Sequence, residues 1–177
     1  YGHMFANCTS LKEAPELPAT TLTSGCYKNM FDGCTSLVKA PSILPATTVS
    51  GECYQYMFRN CTSLTTAPKL PATTLTGRYS YGYMFYGCTN LTKIPALPAT
   101  TVSEYSYAFM FAYCTKVKFS TTKTGDYVNT YRIPYGTGTG TTTGSWTFSS
   151  MLKSTGGTYT GNPSLNGTYY TSNEIIQ

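Results

Sequence analysis

Seven cysteines, seven carboxylates, one histidine and 17 tyrosines are the side chains of this 177-residue chain from which chemistry could be built. Five of the cysteines sit in a fixed pattern, M-F-x-x-C-T, at Met4, Met30, Met57, Met84 and Met110. That spacing places no second ligand beside each cysteine, whereas zinc needs four convergent ligands, commonly close cysteine pairs or histidines. His3 is the sole histidine. Calcium would need clustered carboxylates, but Glu13, Glu16, Asp32, Glu52, Glu104, Asp126 and Glu174 are dispersed. Only Glu52 and Glu104 fall at nearly the same place in the pattern, two copies apart, and a glycoside-hydrolase pair holds its carboxyl groups about 5–10 Å apart. Both precede segments predicted to be helical, where an acidic group favours the helix dipole. With one histidine near the start, no Ser/His/Asp or Cys/His arrangement is credible. The chain is therefore expected not to be an enzyme, with no catalytic residue, no metal and no cofactor.

The elements that must position these side chains come from the repeat itself. Its copies recur after 26, 27, 27 and 26 residues, and a period of about 20–50 residues is the signature of stacked coils sharing one core. In each copy an aromatic-rich segment comes first. Ser24, Ser50, Thr76 or Ser103 precedes it, which predicts an N-capped helix of two turns. Tyr54, Met57, Phe58 and Cys61 follow i, i+3, i+4, i+7, the stripe of a helix that buries one face. After the cysteine, a stretch holding Leu64, Ala67 and Leu70 is expected to be the strand-like side, stacking in parallel at about 4.8 Å per coil. Eight of the ten prolines fall at two phases, Pro15, Pro41, Pro68, Pro95 and Pro18, Pro45, Pro71, Pro98. Proline donates nothing to a ladder, so these phases mark where pairing stops and the chain turns. The Ala-Thr-Thr-Leu/Val run that follows leads into the next copy and puts Leu22, Val49, Leu75 and Val102 inside.

Beyond Cys114 a degenerate sixth copy is recoverable: Phe148, Met151, Leu152, Thr155, Pro163 and Leu165 match the Tyr, Met, Phe, Cys, Pro and Leu phases to within one residue. Val117 to Ser145 reads as an interposed excursion. In it, VKFST and YVNTYRI flank Lys123 to Asp126 and predict a β-hairpin, while the Gly/Thr tract from Gly136 to Gly144 is the part most open to disorder. The division is a solenoid over residues 1–119, then a β-rich excursion and degenerate capping repeat over 120–177, continuous with it. An atypical terminal copy is expected because its outer face meets water.

The unit C-Y-x-x-M-F-x-x-C-T-S-L-T-x-A-P-x-L-P-A-T-T-L resembles the repeats of BspA-like leucine-rich-repeat surface proteins of gut and oral bacteria, strongly over residues 1 to about 119 and weakly in the last copy. The resemblance implies an α/β fold, a right-handed β/α leucine-rich-repeat-like solenoid of about five coils with short helices. It also implies export to the cell surface and adhesion to host proteins or other cells. It carries over no functional residue, because the shared positions are the packing ones.

The same-phase cysteines Cys8, Cys34, Cys61, Cys88 and Cys114 are expected to form a buried column of reduced thiols, since free cysteine packs as a small hydrophobe and their side chains point the same way rather than toward each other. Cys26 and Cys53 share a second phase that Ser80 and Ser106 occupy later, which reads as a small-residue slot rather than a disulfide. The candidate binding patch is aromatic. Tyr56, Tyr83 and Phe109 precede the methionine, and Tyr79, Tyr86, Tyr105 and Tyr113 are added only in later copies. Stacking would gather them on the helical side, where apolar ring area and phenol hydroxyls suit sugar or protein recognition. The competing reading is that they cover contacts between coils or pack beneath the excursion.

Only 11% of residues are charged, with a net charge of +5 that is scattered along the chain, so nucleic acid is not an expected partner. No 18-residue apolar run is present, so membrane insertion is not expected either. The Thr, Ser, Asn, Gly and Tyr surface reads as that of a secreted or cell-surface bacterial protein. Tyr1 sits at the phase of Tyr27, Tyr54, Tyr81 and Tyr107, so the chain is expected to be a fragment that starts mid-coil. Its expected function is a non-enzymatic binding or adhesion module presenting a solenoid face to a host or bacterial surface protein or glycan. The alternative is a structural spacer, a stalk within a larger surface protein.

Overall fold

The computed structural model describes residues 1–136 and 138–177. In each copy the aromatic-rich segment is a run of consecutive turns, and among the described residues there is no helix. The hydrogen bonds show why. In the second copy the amides of Cys26, Lys28, Met30, Asp32 and Cys34 close turns onto the carbonyls of Thr23, Gly25, Tyr27, Asn29 and Phe31. The alternate amides, of Gly25, Tyr27, Asn29, Phe31 and Gly33, donate instead to Gly51, Cys53, Gln55, Met57 and Arg59 of the next copy. An α-helix commits its interior N–H groups to its own i−4 carbonyls and has none left for a neighbour. Every fourth residue of the ribbon has positive φ: Gly25, Asn29 and Gly33, then Glu52, Tyr56 and Asn60, then Tyr79, Tyr83 and Gly87, then Tyr105, Phe109 and Tyr113. In the turn from Tyr27 to Met30 the left-handed Asn29 stands third, where a type II turn requires positive φ.

Turn ribbons thus take the place of the predicted short helices. The apolar stripe that suggested helices also fits a four-residue period, with Cys53 and Tyr54, Met57 and Phe58, then Cys61 all buried. The predicted capping hydroxyls do other work: Ser24, Ser50, Thr76 and Ser103 donate to carbonyls of adjacent copies, at Gly51, Leu22, Val49 and Gly77.

The Ala-Thr-Thr-Leu/Val runs pair in parallel as β1 (Thr48–Val49), β2 (Thr74–Leu75) and β4 (Thr101–Val102). Strand β7 (Thr141–Thr142) extends this sheet in the order β1-β2-β4-β7. Part of the Gly/Thr tract is therefore an ordered strand, while its Thr137 lies outside the described residues. The stretch after the cysteine forms isolated parallel bridges, Glu13 to Lys39, Ile43 to Lys69 and Thr66 to Lys93. There β3 (Lys93–Pro95) also pairs in parallel with β9 (Glu174–Ile176). The predicted hairpin does not form. Its two runs, β5 (Phe119–Ser120) and β6 (Asn129–Arg132), each pair antiparallel with β8 (Thr168–Thr171), which lies between them. Buried Asn173 locks this insertion in place, donating to the carbonyls of Thr92 and Lys116 and accepting from the Lys118 amide.

Register carried by the amides turns each phase into a column. Phe5, Phe31, Phe58, Phe85 and Phe111 stack with centroids 5.5–5.8 Å apart. Tyr27, Tyr54, Tyr81 and Tyr107 do the same, and Phe148 continues their column, at 5.4–6.0 Å. A last ribbon accepts the amides of Tyr105, Tyr107, Phe109, Phe111 and Tyr113 at Ser145, Thr147, Ser149, Met151 and Lys153, which places Met151 and Leu152 at the Met and Phe phases.

Two substitutions test this architecture. The buried hydroxyls of Tyr54, Tyr81 and Tyr107 have no partner among the described residues, and burying an unpaired hydroxyl costs about 1–3 kcal/mol. Tyr81→Phe is therefore expected to raise the urea midpoint, whereas a lowered midpoint would mean that the hydroxyls are bridged by buried water. Gly87 has φ +73, and a Cβ there would lie 2.5 Å from Asn60 Oδ1. Because that atom is the end of a side chain that can turn away, the left-handed strain sets the scale: Gly87→Ala is expected to lose about 1–2 kcal/mol, and an unchanged midpoint would contradict the left-handed turn.

Candidate functional site

Six of the seven aromatic candidates, Tyr56, Tyr79, Tyr83, Tyr105, Phe109 and Tyr113, stand at the left-handed positions of the ribbons. Only Tyr86 does not. The inter-copy amides align these positions in three columns: Gly25, Glu52, Tyr79, Tyr105; Asn29, Tyr56, Tyr83, Phe109; and Asn7, Gly33, Asn60, Gly87, Tyr113. His3, Asn7, Gly25, Asn29 and Gly33 hold these positions in the first two copies; rings enter at Tyr56 and fill most of them from Tyr79 on, with Glu52, Asn60 and Gly87 the exceptions. Tyr83 stacks on Phe109 at 4.6 Å and 6°, and Tyr79 on Tyr105 at 4.8 Å and 15°. Tyr56 meets Tyr83 at 4.7 Å, Tyr79 meets Tyr83 at 6.5 Å, and Tyr86 touches Tyr83 at 5.8 Å and Tyr113 at 5.1 Å. All seven rings therefore form one connected cluster.

Cations lie over its margin. The Arg59 guanidinium is 4.6 Å from the Tyr56 centroid, Arg78 is 5.6 and 5.2 Å from Tyr79 and Tyr105, and Lys153 is 5.8 Å from Tyr113. Such contacts contribute about 0.5–1 kcal/mol each at exposed sites. In the two tight stacks each ring turns one face toward its partner.

Trp146 extends the first column beyond Tyr105, whose amide donates to Ser145. It has φ 60 and is 65% exposed. Sequence reasoning passed over it, although the signal was present: Trp146 lies two residues before Phe148, as Tyr79 and Tyr105 lie two before Tyr81 and Tyr107.

The other chemistry-bearing groups are engaged in holding copies together. All seven cysteines are free, including Cys26 and Cys53. The thiols of Cys34, Cys61, Cys88 and Cys114 donate to the carbonyls of Phe5, Phe31, Phe58 and Phe85 in the preceding copy, at 2.9–3.1 Å. The column is thus a hydrogen-bonding device as well as apolar filling, and it is buried except at Cys8, which is exposed in the first copy. The carboxylates are mostly ion-paired between copies. Glu52 and Glu104 do not face each other but hold Lys28 at 2.8 Å and Arg78 at 3.0 Å. With no helix behind them, these pairs replace the dipole account of the two residues. Asp32 takes the Arg59 guanidinium in a two-pronged contact, with Nε at 2.8 Å. Among the described residues no group of three or more His, Cys, Asp or Glu side chains could hold a metal ion.

Residues 2–118 match the family model described as BspA type Leucine rich repeat region, in six copies. Neither the comparison with curated proteins nor that with solved structures returns a match.

Burial pushes the thiols of Cys61, Cys88 and Cys114 up, Cys114 from 9.0 to about 12. These folded-state values lie above those of the unfolded chain, so the stabilisation they represent is complete below pH 9 and lost as pH rises. Unfolding monitored from pH 7 to 12 is expected to show a level midpoint to about pH 9 and a progressive fall above it. A midpoint that stays level to pH 12 would mean that the thiols titrate normally in the native chain.

Proposed function

The chain belongs to the BspA-type leucine-rich-repeat family, and from that premise we propose that it is a non-enzymatic adhesion module, displayed at a bacterial cell surface, whose tyrosine cluster takes a protein partner. The observation that carries this reading is the conflict between backbone and side chain at the cluster. A bulky residue at a left-handed position costs about 1–2 kcal/mol, and each aromatic pair returns about 0.5–1.5 kcal/mol beyond its buried area. The two are of the same order before the buried ring area is counted. Gly25 and Asn29 meet the same backbone requirement in the second copy without rings, so the backbone does not require the tyrosines. Recognition accounts for them, because tyrosine concentrates contact area and a hydrogen-bonding group in one rigid side chain.

A protein partner suits the cluster better than a glycan. Sugars stack on open ring faces, and here Tyr79 with Tyr105, and Tyr83 with Phe109, each cover one face of the other. Ring edges carry the positive end of the quadrupole and sit beside phenol hydroxyls, while Arg59 and Arg78 are already paired with Asp32 and Glu104. Edges and hydroxyls together favour carbonyl acceptors on a polypeptide. The spacer alternative draws support from the unbroken ladder of inter-copy bonds, but a stalk has no use for rings gathered in the later copies.

Asparagine is the informative replacement, since Asn29 already occupies the Tyr83 column at φ 56. In the combined variant Tyr79→Asn, Tyr83→Asn and Phe109→Asn, the thermal midpoint is expected to stay within about 5 °C of the parent. Binding to any extracellular protein captured by the parent chain on a purified-protein array should fall at least tenfold. Binding that survives the substitutions, or a parent chain that captures no protein, would turn the reading toward the spacer.

A further inference from the structure

A groove of different chemistry from the tyrosine cluster lies beside the last ribbon. Trp146, the chain's single tryptophan, is 65% exposed and held at φ 60. A bulky side chain in that conformation is uncommon and costs about 1–3 kcal/mol, which the surrounding structure must sustain. Unlike the tyrosines in their stacks, its indole has no ring paired with it among the described residues. It borders this groove of about 300 Å³, whose floor and walls include Phe148, Ser149, Asn162, Pro163 and Leu165. That volume is at the lower end for small-molecule sites. None of the residues lining the groove is charged.

The polar groups of the groove are partly committed and partly open. Asn162 Oδ1 accepts the Ser150 amide at 2.7 Å, and its carbonyl accepts the Tyr159 hydroxyl at 2.7 Å. The first bond holds the asparagine side chain and the second its backbone, leaving Asn162 Nδ2, like Ser149 Oγ, without a partner among the described residues. An exposed indole, an uncharged lining that includes Phe148 and Leu165, and two unengaged hydrogen-bonding groups suit a ligand with an apolar face, a rim of hydroxyls and no charge. We infer that this groove binds a neutral pyranose unit, with its C–H face on the Trp146 indole and its hydroxyls on Asn162 Nδ2 and Ser149 Oγ. The site stands outside the tyrosine cluster and independent of its protein partner, so either reading can fail alone.

The single tryptophan makes the test direct. The intact chain is titrated with methyl glycosides of glucose, galactose, mannose and N-acetylglucosamine, with glucuronic acid as the charged counterpart, while tryptophan emission is followed. At least one neutral sugar is expected to give a saturable change with a dissociation constant of about 0.1–10 mM, at least tenfold tighter than glucuronic acid. Asn162→Asp keeps the acceptor for Ser150 and removes the Nδ2 donor. It should weaken that sugar at least fivefold with an unchanged thermal midpoint, as should Ser149→Ala. In Trp146→Ala, sugar-observed saturation-transfer NMR should lose its signal. The inference is overturned by no saturable change up to about 50 mM, by equal affinity for glucuronic acid, or by full affinity in Asn162→Asp or Trp146→Ala. None of these results bears on the asparagine variants of the tyrosine cluster.

Discussion

Alternation of amide direction along the turn ribbon is the constraint on which the rest of this structure depends. Buried backbone groups must be paired, and each ribbon pairs half of its amides within itself and hands the other half to the next copy. A single copy therefore cannot satisfy its own backbone. Its neighbours complete it, which is the physical reason that the unit occurs as a stack whose stability is shared across interfaces. The side chains reinforce the same link: four buried thiols reach carbonyls of the preceding copy, and five ion pairs bridge residues 24 to 81 positions apart in sequence, including Lys28 with Glu52 and Lys93 with Glu174.

The alternation sets a second condition, a left-handed residue at every fourth ribbon position. In the column Asn7, Gly33, Asn60, Gly87 the condition is met by residues that tolerate it, and the glycines also make room for their neighbours. A Cβ at Gly33 or Gly87 would meet Asn7 or Asn60 Oδ1 at 2.4 or 2.5 Å. In the columns ending at Tyr105 and Phe109 the condition is met at a cost, by rings stacked on rings. The same backbone condition is thus met by glycine, asparagine, glutamate and tyrosine at different points of the stack.

The cap follows a different logic. Among the described residues no further copy of the unit follows the last ribbon, and Asn162 supplies one acceptor from a side chain, to Ser150. Strand β8 inserts between β5 and β6, and Asn173 fastens that insertion to the fourth and fifth copies. Leu152 is buried in this region, while Trp146 is left exposed. Polarity of the two faces therefore differs: tyrosine rings with cations along the ribbons, an exposed indole beside a neutral groove next to the last one.

Much of this was legible in the residues. The 26- and 27-residue intervals identify a stack, and the Tyr, Met, Phe and Cys phases identify its core, because a repeat must present the same apolar atoms to the same neighbours in each copy. The seven clustered rings could be named for the same reason. Whether the aromatic segment is a helix or a turn ribbon was not legible, since i, i+3, i+4, i+7 is shared by periods of 3.6 and 4 over so short a run. The clue was Gly25, Asn29 and Gly33, spaced by four, and its meaning depends on where alternate amides find acceptors. That is settled only when the next copy is in place. The pairing of β5 and β6 with β8 was hidden likewise, because it joins segments about 40–50 residues apart whose own sequences favour a local hairpin. By itself the sequence determined the stack, its core columns and the family; tertiary structure alone decided the ribbon conformation, the direction in which the tyrosine rings face and the exposure of Trp146, because hydrogen bonds between copies, rather than propensity within one, fix the backbone.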